Sequence, residues 1–166
     1  VPPVCQKDRD LELSSYENSV KELLNFKSVG GQTLVEASTL DYGRNLGLLK
    51  KMAQETGVHV IGTTGFNKHI YYPEWVEEKS VEEIADLLAG DITEGDKESG
   101  VRAGFIKIGT WYNQIHPLEE KTTIAAAIAH NKTGAPVWGH TEAGTMGMEV
   151  LDLLEQEQVD LTRVAL

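Results

Sequence analysis

Short β-branched and apolar runs alternate along the chain with longer stretches whose apolar positions recur every three or four residues. Thr33 to Leu40 (TLVEASTL), His59 to Thr64 (HVIGTT), Ala103 to Thr110 (AGFIKIGT), Val137 to Thr141 (VWGHT) and Arg163 to Leu166 (RVAL) have strand character. The stretches between them predict helices over Arg44 to Glu55, Ser80 to Ile92, Leu118 to Lys132 and Thr145 to Gln156, and Tyr16 to Phe26 forms another ahead of the first strand. In Arg44 to Glu55, Leu46, Leu49 and Ala53 fall on one face, and Gly57 follows where a helix ends in a left-handed residue. Ser80 stands as N-cap with Glu83 three residues on, the spacing of a capping box. Gly134 and Pro136 close the alanine-rich helix.

Strict alternation of strand and helix predicts a parallel sheet covered by helices, an α/β fold with right-handed crossovers. That leaves an open doubly wound sheet or a closed barrel. Nucleotide-binding sheets carry a glycine-rich turn after their first strand. Here the turn is DYGRN, without G-x-G-x-x-G, and the chain has no Walker motif, which favours the barrel. A complete TIM barrel takes about 250 residues, so residues 1–166 are expected to form a single incomplete (β/α) barrel domain. The connection Gly65 to Lys79 is long and carries Phe66, His69, Tyr71, Tyr72 and Trp75. Strand-to-helix loops lie on the active face of a barrel. These aromatic residues form either a substrate wall or a packing layer on the rim.

Composition narrows the function classes. With 40% hydrophobic and 25% charged residues, the chain has the makeup of an ordered globular protein. A net charge of −11 argues against a nucleic-acid partner, which calls for clustered lysine and arginine. Cys5 is the sole cysteine, so no disulfide forms within the chain and a reducing, cytoplasmic location is expected. No apolar run approaches the roughly 18 residues of a membrane span, and the first residues lack a signal-peptide pattern. The chain starts at Val1 and not at methionine, as a processed or truncated chain would.

Two residues stand out chemically. Lys107 sits inside the apolar strand AGFIKIGT. Burial disfavours its ammonium form, and a neutral lysine can act as a base, form a Schiff base, or take up carbon dioxide as a carbamate that bridges two cations. The plainer reading is a lysine whose ammonium snorkels to water. His140, near the end of the next strand, can ligate zinc as a neutral imidazole or serve as a hydrogen-bonded core histidine. Because they lie near the ends of successive parallel strands, the two can converge on one site. His116 in the QIHP turn could face substrate or simply be solvated. His59 begins a strand away from that face and reads as structural. His130, late in a helix, suits the C-terminal dipole. Glu36 is either an outer-shell partner or half of a buried ion pair. Glu142 could orient His140 or meet the substrate. Asp41 reads as the cap of the following helix.

The stretches GGQTLVEASTLDYGRNLGLLKKMAQETGVHVIGTTGF, GVRAGFIKIGTW and TGAPVWGHTEAGTMGMEVL resemble the phosphotriesterase family of the amidohydrolase superfamily, in order and spacing, from about Asn18 to Leu166. GFIKIGTWYNQIHPLEEKT is most similar to the branch of phosphorylated-sugar lactonases and phosphotriesterase-like lactonases. The resemblance implies a (β/α)8 barrel with a binuclear metal centre at its C-terminal mouth, and this chain would run from the first helix to the start of the sixth strand. Lys107 matches the family's carboxylated bridging lysine, and His140 its fifth-strand histidine. The first-strand His-x-His, the sixth-strand histidine and the eighth-strand aspartate have no counterpart here. For the intact protein the resemblance implies hydrolysis of a lactone, in particular a phosphorylated sugar lactone, or of a phosphotriester. The attack would come from a hydroxide bridging two divalent ions, zinc being the expected metal, and a homodimer is the assembly it suggests. Two of six ligands would hold metal weakly, so this stretch alone is expected to be inactive. The rival readings are a truncated barrel acting as an assembly module, and a Schiff-base enzyme built on Lys107.

Overall fold

The computed structural model describes residues 14–166, and Cys5 lies outside that range. The first helix, α1 (Tyr16–Ser28), starts at Ser15, whose hydroxyl accepts the Asn18 N–H. It packs on α2 (Leu46–Thr56) through Val20, Leu23, Met52 and Val58, a small apolar cluster outside the first strands. Asn45 caps α2 by accepting the Leu48 N–H at 2.8 Å, and Gly57 ends it at φ 68°. Gly57 therefore ends its helix as the sequence predicts.

The first strand, β1 (Thr33–Val35), is shorter than the eight-residue run that predicts it. Among the described residues it pairs with β2 (His59–Ile61), and beyond Val35 the ladder gives way to a loop in which Glu36 accepts both the N–H and the hydroxyl of Ser38. A serine and threonine-rich stretch offers the backbone such local partners in competition with the ladder. The predicted strand His59 to Thr64 is a single stretch that serves two neighbours. Its first half, β2, pairs with β1, and its second half, β3 (Thr63–Gly65), pairs with β4 (Phe105–Thr110). Gly62 lies between the halves, where a Cβ would strike the Leu46 side chain. β4 pairs with β5 (Val137–Thr141), and β5 with β6 (Val164–Ala165).

All these pairings are parallel and follow chain order. A doubly wound sheet reverses its strand order at a switch point. The described strands show no reversal, and sequential parallel neighbours are the barrel pattern. The architecture is therefore α/β with the strand order of part of a TIM barrel.

Helices cover one face of this sheet. α3 (Trp75–Glu78) and α4 (Val81–Thr93) follow β3, α5 (Pro117–Thr133) follows β4, and α6 (Gly147–Gln156) follows β5. The capping box at Ser80 and Glu83 forms as predicted. Ile84, Leu88, Ile106, Ile108, Ala125, Ala126, Val137, Val150 and Leu154 make the main core between sheet and helices. Alternation along the strands then places Phe105, Lys107 and Gly109 of β4, and Trp138 and His140 of β5, on the opposite, inner face. The Phe105 and Trp138 rings meet there edge to face at 5.3 Å, confirming the shared side.

His130 lies in the last turn of α5, as its place in the sequence indicates. It is buried, its Nδ1 donates to the Ala135 carbonyl at 2.7 Å, and its Nε2 accepts the Asp160 N–H at 3.3 Å. A ring that accepts at Nε2 must be neutral, so the imidazole clips the α5–β5 turn to the segment before β6. His130→Ala strands both backbone groups and should cost about 1–3 kcal/mol of stability, measured by urea unfolding; an unchanged midpoint would show that water replaces the ring without loss.

Candidate functional site

Lys107 and His140 lie on the same face of adjacent strands. In the β4–β5 register Lys107 stands opposite Trp138 and Gly109 opposite His140, so His140 is one pleat nearer the C-terminal end. Strand spacing and rise put such diagonal neighbours roughly 8 Å apart at Cα. Lys107 is half-buried, and desolvation holds its ammonium below the ordinary lysine value, opposed by the charges of Asp41 and Glu36. Lys107 is therefore close to two carboxylates without a direct ion pair to either among the described residues.

Asp41 does not cap α2; Asn45 does. Its carboxylate instead reaches the loop after β3, accepting the Asn67 N–H at 2.9 and 3.1 Å and the Lys68 N–H at 3.4 Å. Burial pushes its acid up, and the Asn67 N–H works against that push. One carboxylate thus organises a neighbouring loop and also lends charge to Lys107.

Glu142 bonds His140. Its Oε2 lies 3.2 Å from His140 Nε2 and also binds the Lys68 ammonium. The Lys68 hydrogen bond, followed by that of His140, holds the Glu142 acid below the usual carboxylate range. Lys68 in turn lies over the Trp111 ring at 5.4 Å. The loop after His140 forms a tight turn, Glu142–Gly144, with Ala143 at φ 51° and Met146 at φ 63°. Left-handed backbone at a residue with a Cβ costs about 1 kcal/mol and clusters at functional loops.

His59 is exposed at the start of β2, and its backbone N–H bonds the Gln32 carbonyl. His116 caps α5, its Nδ1 accepting the Leu118 N–H at 3.2 Å, and its ring stacks on His69 at 4.0 Å. Phe66, Tyr72 and Trp75 of the long connection pack on the main core, so these aromatics form a rim layer and not a wall.

Sequence reasoning missed Glu119, which is fully buried. It accepts the N–H groups of His69, Trp111 and His116 at 3.0–3.2 Å and faces His69 Nδ1 at 2.8 Å. It thereby joins the loops after β3 and β4. A signal was present: His116 and Glu119 stand at capping-box spacing. Lys68 carried no such signal, because only the fold brings its loop to Glu142.

Among the described residues no three His, Cys, Asp or Glu side chains gather into a metal cage. Lys107 and the His140 imidazole share the inner face of the sheet. A model of the phosphotriesterase family matches residues 2–166. The chain belongs to the phosphotriesterase family. Its relatives include a phosphotriesterase homology protein of Escherichia coli, 38% identical over 156 residues, covering 93% of this chain and 53% of that protein. A phospho-furanose lactonase of Mycoplasmopsis synoviae is 32% identical, over 89% of this chain and 46% of that one. The crystal structure of a lactonase from Listeria monocytogenes superposes with a TM-score of 0.91 at 35% identity, covering 99% of this chain and 56% of that chain. This phosphotriesterase-family chain thus spans about half the length of the relatives it matches. No described helix is long and apolar enough to cross a membrane.

Proposed function

We propose that this chain supplies part of the active site of a metal-dependent hydrolase acting on a lactone, with a phosphorylated sugar lactone as the preferred substrate and phosphotriesters as the alternative. The observation that carries the reading is the shared inner face of Lys107 and His140 on adjacent parallel strands. Relatives named as a phospho-furanose lactonase and an aryldialkylphosphatase support the two substrate classes.

The donor chemistry fits a pair of divalent cations, zinc in the first instance. Lys107, its ammonium disfavoured by burial, is the group to take up carbon dioxide as a carbamate and offer two anionic oxygens. His140 faces Glu142 through Nε2 at 3.2 Å and would meet a cation through its other ring nitrogen. Bound cations would polarise the substrate oxygen and lower the pKa of the attacking water. Asp41 and Glu36 hold negative charge near Lys107, and Asp41 also fixes the Asn67–Lys68 loop at the mouth. Phe105 and Trp138 floor the inner face below Lys107 and keep that end apolar.

Elemental analysis together with intact mass tests this reading. The intact protein should carry close to two zinc ions per active site, and chelation should abolish its lactone or phosphotriester hydrolysis until zinc is returned. Hydrolysis that proceeds at full rate after the metal is stripped would end the proposal.

A further inference from the structure

We propose that Glu142, held by Lys68, is the positioning residue that fixes the His140 ring in its Nε2–H form and so leaves Nδ1 bare for a cation. The inference rests on the metal-hydrolase reading for its last step only. An ionised carboxylate can only accept hydrogen bonds, so the nitrogen facing Glu142 Oε2 at 3.2 Å must carry a proton. The Lys68 ammonium binds the same oxygen and holds it against the ring. Among the described residues no hydrogen bond engages His140 Nδ1.

The carboxylate is itself held in place. The Glu142 carbonyl accepts the Thr145 N–H at 3.0 Å and the Thr145 hydroxyl at 2.8 Å, and that hydroxyl accepts the Asn113 N–H from the loop after β4 at 2.9 Å. Lys68 is anchored from the other side, through Asp41 on its backbone and Trp111 under its side chain. Three strand-to-helix loops therefore converge on one histidine.

The test is nitrogen NMR of the histidine-labelled intact protein freed of metal, paired with zinc competition against a chromogenic chelator. In the wild type, His140 should show a protonated Nε2 and a bare Nδ1. Glu142→Ala should mix the tautomers and weaken zinc binding by about 10–100-fold, the usual cost of losing an outer-shell partner. Glu142→Gln keeps an oxygen acceptor at the same place and should restore the Nε2–H form and most of the affinity. A wild-type ring protonated on Nδ1, or an Ala variant with the wild-type tautomer and affinity, would overturn the proposal. If the tautomer responds as expected while the wild type binds no zinc, the hold on His140 stands and the metal reading falls.

Discussion

In the intact protein, Lys107→Ala is expected to lower zinc occupancy and hydrolysis by at least about 100-fold, because loss of an outer-shell partner alone costs up to that much. The fold should survive. Lys107 sits half-buried at a cost to its ammonium form, and Asp41 and Glu36 compensate that cost only from a distance. Removing the amine relieves the desolvation without leaving a broken hydrogen bond, so the urea midpoint should move little. The separation of the two readouts is the point of the experiment. A structural lysine would show lost stability with activity falling in proportion. Full lactonase activity in Lys107→Ala would show that the bridge is assigned to the wrong residue. Sodium borohydride in the presence of substrate addresses the rival chemistry, since only a Schiff base on Lys107 would be reduced to a permanent adduct.

Asp91→Ala is expected to cost about 3–5 kcal/mol, the range for stripping one partner from a buried ion pair. Arg44 Nη1 lies 2.5 Å from Asp91 Oδ2, with the two side chains 8% and 9% exposed. The same oxygen accepts the Thr64 hydroxyl at 2.6 Å, so the change would strand a buried cation and a buried hydroxyl together. Against a total stability of 5–15 kcal/mol typical of domains, that is enough to populate the unfolded state. The double replacement Arg44→Met with Asp91→Leu should recover most of the loss, because it removes both charges at once. Equilibrium urea unfolding checks both variants, and a single variant within about 0.5 kcal/mol of wild type would show that water reaches the pair. The expected damage extends towards the site, since Thr64 neighbours Gly65, the register partner of Lys107.

That ion pair shows where periodicity is informative and where it misleads. Ile84, Leu88 and Asp91 recur at helical spacing and all are buried, so Asp91 was legible as a polar residue on the core stripe of α4. Its partner was not. Arg44 reads as the first residue of a helix, yet α2 begins two residues later and Arg44 crosses to α4. Glu119 was half legible in the same way, since its cap spacing to His116 is local while its bonds to His69 and Trp111 come from separate loops.

The sequence by itself determined the alternation of strands and helices, the caps at Ser80, Gly57 and Gly134, and the placement of Lys107 and His140 on successive strands. Each of these depends on residues within about a turn or a strand of one another, and local sterics and hydrophobic periodicity decide them. Only the tertiary structure decided that β1 stops at Val35, that Asp41 serves the Asn67 loop and not a helix cap, that His130 is a neutral clip, and that Lys68 and Glu142 meet at His140. Those contacts join segments far apart along the chain. Which loop closes on which is set by the order and register of the strands beneath them, and no local pattern encodes that.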